Sequence, residues 1–183
     1  MKISQLSVLS LIIFTLPGLS MANEPGSALS DRIKIASNTY TAKDVIRELA
    51  KDDAIMVRVA VASNRRAPED VYLQLANDSN ADVRMALALN VDVPEEAKLI
   101  LAHDENHDVR LRLAKCGYMY PSVLIILAED DSAEVRHLVA SNHNATAEIL
   151  AILIQDSDEL IVKQASKHPE ITAAVLKLAA NDE

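Results

Sequence analysis

Few residues in this chain have the types and spacing that chemistry requires. His103 and His107 stand four apart in HDENHD, beside Asp104, Glu105 and Asp108. On one continuous helix that spacing could bring two imidazoles to a metal ion. Asp104, however, belongs to a regular series of aspartates, and one helical pattern gives way to the next between the two histidines. The segment reads as a solvated acidic turn, and no metal site is assigned. The series itself comprises Asp52, Asp78, Asp104, Asp130 and Asp156, accompanied by Arg32, Arg58, Arg84, Arg110 and Arg136. Paired charges can signal acid–base catalysis, but arginine stays protonated at any useful pH. An Asp six positions before an Arg, repeated, instead suggests a ladder of charge-assisted hydrogen bonds tying turns to helices. Cys116 is the single cysteine and closes no internal disulfide. It reads as a small buried apolar residue, the alternative being a thiol open to partners or oxidants. His137, His143 and His168 are isolated and read as surface or filler residues. The chain has no Gly-rich phosphate loop, no Gly-x-Ser-x-Gly elbow and no Cys–His pair. No catalytic residue and no cofactor is assigned.

The regular spacing points to what must position these groups. The aspartates fall 26 residues apart from Asp52 to Asp182, and the arginines keep the same step. Ala36, Ala62, Ala88, Ala114 and Ala140 follow it too, as do Asn38, Asn64, Asn90 and Asn142, and Leu49, Leu75, Leu101, Leu127 and Leu153. Such a period marks a repeat architecture. Counted from Ala28, six blocks end at Glu183. Each block divides into two short helices. In one, Ser79-Asn80-Ala81-Asp82 reads as a capping box. Val83, Ala86 and Leu87 then recur at helical spacing, and Asn90 closes the helix in a left-handed conformation. Pro94 opens the next helix, where its missing N–H costs nothing; Pro68 and Pro121 do the same elsewhere. No segment alternates with period two, so no sheet is expected. Helices of about ten residues are marginal alone, so each must bury its apolar side on its neighbours. Val162 stands where the last block would carry its Arg, as suits a terminal unit with no follower to bind.

Composition narrows the class. Half of the 183 residues are apolar, yet there is no Trp, one Phe and only three Gly. The core must therefore be Leu, Ile, Val and Ala, which suits small, closely packed helices. The net charge of −9 repels phosphates and excludes a nucleic-acid partner. Met1-Lys2, the apolar run Leu6 to Leu16, the break at Pro17-Gly18 and small residues Ser20 and Ala22 are laid out as a secretory signal peptide. Cleavage is expected after Ala22, leaving a short linker at 23–27 and a helical-repeat domain at 28–183. The 1–22 stretch holds too many polar and helix-breaking residues for a spanning helix, so no stable membrane insertion is expected after cleavage. No Cys lies at the cut to carry a lipid.

The string Leu-Ala-x-Asp-x-x-x-x-Val-Arg-x-x-x-Ala, as in LANDSNADVRMALA (Leu75 to Ala88), resembles the leucine-rich repeat variant family of bacterial helical repeats. It is also similar to HEAT repeats, which carry an Asp and a Val-Arg pair at the same relative spacing. The likeness covers about 28 to 183. It implies alternating helices, some of them 3₁₀, in a curved array, with the Asp and Arg positions structural. One member type carries an iron–sulfur domain bound by a Cys cluster, which a chain with one Cys does not inherit. The expected fold is all-α: a right-handed α-solenoid of about six stacked two-helix repeats with a 26-residue period.

One block departs from the pattern. Its neighbours read ASNRRAPEDV and LALNVDVPEEA, but it reads AKCGYMYPSV (Ala114 to Val123). Cys116 replaces Asn, Gly117 is expected to supply a flexible turn, and Tyr118 and Tyr120 appear, preceded by Arg112 and Lys115. Aromatic and Arg residues are over-represented where interfaces gain their energy, so Arg112, Lys115, Cys116, Tyr118 and Tyr120 are the candidate partner-binding residues; the plainer account is that Tyr120 fills space left by the shifted Pro121. The expected function is an exported, periplasmic or secreted scaffold that binds a protein or peptide and catalyses nothing. The alternatives are a metal-handling or enzymatic protein on the same repeats, or a structural subunit of a cell-envelope assembly.

Overall fold

A computed structural model describes residues 25–171; the expected leader at 1–22, the start of the linker and the terminal segment with Asp182 lie outside them. Within these residues the chain is all-helical, as the periodicity predicts, with eleven helices and no strand. In chain order they are α1 (Pro25–Ser37), α2 (Lys43–Leu49), α3 (Ile55–Ala62), α4 (Glu69–Ala76), α5 (Ala81–Leu89), α6 (Glu95–Ala102), α7 (His107–Ala114), α8 (Pro121–Leu127), α9 (Ala133–Ala140), α10 (Ala147–Leu153) and α11 (Glu159–Ser166). The first begins at Pro25, inside the stretch expected to be linker.

Contacts follow a next-but-one rule. Helices α1, α3, α5, α7, α9 and α11 pack in succession, as do α4, α6, α8 and α10, and each row leans on the other. The sequence explains this. Most of the helices have seven to nine residues, too few to hold together unaided. Each contributes a narrow apolar face: Val57 and Val61 in α3, Val83 and Leu87 in α5, Val109 and Leu113 in α7, all buried. Ala36, Ala62, Ala88, Ala114 and Ala140 are at most 3% exposed, and a methyl group at that position lets successive helices approach closely. A buried Val or Leu contributes about 1.5–3 kcal/mol, so the core is a continuous seam with no single centre.

The helix ends differ from the sequence expectation in ways that bear on the seam. The cap of α5 is Asn80, whose side chain accepts from Asp82 N–H, and not Ser79; Asn106 and Asp158 act likewise on α7 and α11. Pro121 is the first residue of α8, but Pro68 and Pro94 sit one step earlier, as caps whose carbonyls receive the first helical N–H groups. Asn90 is not left-handed: its backbone is extended, at φ −78° and ψ 118°. Its place is explained by its buried amide, which donates to Ala62 O at 2.9 Å and Asn64 O at 3.3 Å. Asn64 does the same to Ala36 O and Asn38 O, and Asn142 to Cys116 O. Asn64, Asn90 and Asn142 are thus side-chain bridges between neighbouring blocks. His168, read as a surface or filler residue, is buried in that series with Nε2 3.1 Å from Asn142 O.

Candidate functional site

The charged ladder forms as expected, with its partners rearranged. Each arginine grips the aspartate twenty residues later, not the side chain of the one six before. Nε and Nη2 form a two-pronged pair with the carboxylate, as in Arg58–Asp78 (2.7 and 3.0 Å) and Arg84–Asp104 (2.6 and 3.0 Å). The same geometry joins Arg32–Asp52, Arg110–Asp130 and Arg136–Asp156. Nη1 turns back to the main-chain carbonyl of the aspartate six before: Arg84 to Asp78 O at 2.6 Å, and Arg58, Arg110 and Arg136 alike. Each carboxylate also caps its own turn by accepting the N–H two residues on. One guanidinium therefore holds two consecutive turns, and planar Arg suits that two-pronged grip where Lys would not.

Electrostatics matches the geometry. Burial pushes the Asp78 and Asp130 carboxyls up, but Arg58 and Arg110, helped by the capping N–H groups, outweigh it and hold both below the usual carboxylate range. Asp156 is lowered chiefly by its bond to Arg136. Bonds to the aspartates raise Arg58, Arg84, Arg110 and Arg136 in turn. A carboxyl whose folded pKa lies below its unfolded value of ~3.9 contributes stability above that value and loses it as pH falls through the folded pKa. Urea midpoints are therefore expected to be flat from pH 7 to about 5 and to fall steeply below about pH 4. Arg58→Leu and Arg110→Leu should both flatten that acid limb, and an unchanged limb would disconnect it from the ladder.

The residues of the irregular block divide between inside and outside. Tyr118 is 69% exposed; Arg112 and Lys115 are exposed beside it, and Lys115 lies 4.0 Å from Glu134. Cys116 is buried, its thiol directed at Tyr118 O at 3.3 Å. Tyr120 is half-buried against the core, its ring centroid 5.6 Å from the Lys98 ammonium. The five candidates do not form one surface: Arg112, Lys115 and Tyr118 face solvent, while Cys116 and Tyr120 face inward. Gly117 is not left-handed, and a Cβ there would meet nothing within 4 Å, so the turn does not require glycine.

Sequence reasoning missed the edge on which Tyr118 sits. The turns that follow α1, α5 and α7 place Tyr40, Val91 and Tyr118 in solvent, and Leu89 ends α5 beside them; they are four of the nine exposed large apolar side chains among the described residues. Arg66 lies over the Tyr40 ring at 5.9 Å, and Arg65 pairs with Asp92 of the next block. A shallow recess lined by Arg65, Ala86, Leu89 and Val91 lies along it. The ladder turns are acidic instead, with Asp53, Glu105, Glu129 and Asp131 exposed. The signal was available: positions 40, 66, 92 and 118 keep the 26-residue step and read Tyr, Arg, Asp, Tyr.

His103 and His107 are both exposed. His107 pairs across to Ser132 Oγ at 3.0 Å, and His103 ends α6. Among the described residues no group of three or more His, Cys, Asp or Glu is gathered as metal ligands, and no helix is long and apolar enough to cross a membrane. The chain matches no family model, no curated protein and no solved structure.

Proposed function

We propose that this chain is a scaffold that binds a protein or peptide along the edge carrying Tyr40, Leu89, Val91 and Tyr118, and that it catalyses nothing. The architecture in this reading is a right-handed α-solenoid of six two-helix repeats, of the leucine-rich repeat variant or HEAT-like type. Its support is the 26-residue step in the sequence and the ladder bond that recurs at every turn from Arg32 to Asp156. Such arrays offer long surfaces suited to extended partners.

The observation that carries the binding reading is Tyr118. An aromatic ring left 69% exposed on a turn is a rigid contact surface with little rotamer freedom to lose. A partner that buried it could gain about 2 kcal/mol or more. Arg66 over the Tyr40 ring and Lys115, three residues before Tyr118, add positive charge to this edge, partly offset by Asp92 and Glu134.

Site-specific photo-crosslinking tests this. A photoreactive residue at position 118 should capture a discrete partner in the native envelope, and the same residue at position 131 on the acidic turns should not. Tyr118→Ala should weaken that capture tenfold or more while leaving thermal unfolding nearly unchanged. Capture at 131 alone would place the interface on the other edge. Localisation in the periplasm or outside the cell rests on the charged, apolar and small-residue order of 1–22. N-terminal sequencing of the envelope protein should then begin at Asn23, and a start at Met1 would refute export by that route.

A further inference from the structure

The turns after α1, α3, α5 and α9 are closed by asparagine in the same way. The side-chain oxygens of Asn38, Asn64, Asn90 and Asn142 accept the N–H two residues on, at 2.9–3.0 Å. Their main-chain carbonyls accept the N–H three residues on, from Thr41, Ala67, Val93 and Ala145. The amides of Asn64, Asn90 and Asn142 then bridge to the preceding block. His168 takes both side-chain parts after α11, accepting from Glu170 N–H at Nδ1 and reaching Asn142 O with Nε2.

Cys116, which holds this position after α7, does none of this. Its thiol donates to Tyr118 O at 3.3 Å, inside its own turn. Among the described residues no N–H of Met119 reaches Cys116 O. Nor does any side chain reach the carbonyls of Ala88 and Asn90, the equivalents of the Ala62 and Asn64 carbonyls that the Asn90 amide grips. The inward position held by Ile46, Tyr72, Leu124 and Leu150 is held at this same junction by Lys98, 1% exposed and 5.6 Å from the Tyr120 ring. The other end of the α5–α7 interface is firmly tied. Arg84 of α5 grips Asp104 in the least exposed rung of the ladder, and Arg110 of α7 bonds to the Asp104 carbonyl.

We propose that the α5–α7 junction is a hinge, with the Arg84–Asp104 rung as its pivot and the turns after α5 and α7 as the edge that opens. Bridges join the blocks on either side: Asn64 and Asn90 before the junction, Asn142 and His168 after it. The chain therefore bends as two units, α1–α6 and α7–α11. What crosses the opening edge is apolar contact, which is non-directional, and a surface bond from Ser122 to Glu95 that water can replace. Leu89 and Val91 lie on one side of the hinge and Lys115 and Tyr118 on the other, so bending changes their separation. On the binding reading above, which the hinge itself does not need, a partner seated on this edge would set the angle.

Distances between paired spin labels test the hinge. Cys116→Ala supplies the background, because alanine lacks the bridge as cysteine does and leaves only introduced thiols. Ser63→Cys/Lys115→Cys spans the hinge, and Ser37→Cys/Leu89→Cys spans two bridged junctions. All four positions are exposed, and each pair lies two helix steps, about 16–20 Å, apart. The distance distribution across the hinge should be about twofold broader than that of the other pair. Cys116→Asn, in place of Cys116→Ala, should narrow it to the other pair's width and raise Tm by several degrees. Asn90→Ala is the converse and serves also where Cys116→Asn does not fold: it should broaden the Ser37/Leu89 pair to the width seen across the hinge. Equal widths for the two pairs in Cys116→Ala would overturn the inference. So would a width across the hinge that folded Cys116→Asn leaves unchanged, or a Ser37/Leu89 width that Asn90→Ala leaves unchanged.

Discussion

Arg84→Ala should lower the unfolding free energy by about 3 kcal/mol, read as a drop in urea midpoint at an unchanged slope. Arg84 is the least exposed rung of the ladder, at 10% of its side chain, and Asp104 retains only 4%. Removing the guanidinium leaves that carboxylate buried with one remaining bond, from Asn106 N–H. It also orphans the Asp78 carbonyl and strips the packed stem of the side chain. The loss therefore exceeds the ~1 kcal/mol of an exposed ion pair. Arg32 provides the contrast. Its side chain is 27% exposed, and among the described residues it bonds to Asp52 alone, so Arg32→Ala should cost about 1 kcal/mol. In Arg84→Ala/Asp104→Ala the two losses should fall well short of adding, since neither partner is then left alone. Equal, small losses at Arg32 and Arg84 would mean that the rungs are solvated charges.

That contrast shows which features the sequence could reveal. A 26-residue step is legible because burial acts on residue type. Ala36, Ala62, Ala88, Ala114 and Ala140 are all buried, and close approach of two helices selects a methyl side chain in block after block. Partner identity in the ladder was less legible. Spacing shows that Asp and Arg recur, but an Arg at 84 stands six residues from Asp78 and twenty from Asp104, and the choice depends on how far one turn lies from the next. The structure uses both, the side chain of one and the carbonyl of the other. Asn90 misled for a related reason. Asn is common at left-handed helix ends, and nothing local distinguishes that role from an amide reaching the preceding block. Among the candidate binding residues, Tyr118 and Tyr120 look alike in sequence, two positions apart. One meets solvent and the other meets Lys98, and only the inward column containing Lys98 would have separated them.

Lys98→Met should raise the unfolding free energy by about 2 kcal/mol, against the usual sign for a change at a buried site. The other described members of that column, Ile46, Tyr72, Leu124 and Leu150, are hydrophobic and at most 3% exposed. Tyr72 satisfies its one polar atom by donating to Asn64 O. Among the described residues Lys98 has no such acceptor, and its interaction with Tyr120 is a cation–π contact of about 0.5–2 kcal/mol. Removing an ammonium from water costs several kcal/mol, and deprotonating it in place lowers but does not remove that cost. Methionine keeps the length of the chain, fills the same space and has no polar tip to desolvate. The gain should shrink as pH rises. A lysine whose folded pKa is depressed contributes instability mainly below its unfolded pKa, where the unfolded chain carries a proton that the folded one resists. Between pH 7 and about pH 10 the difference between Lys98→Met and wild type should therefore narrow. A loss of stability at pH 7, or a gap that widens with pH, would mean that the ammonium is held by favourable contacts and is not a desolvated charge in a hydrophobic column.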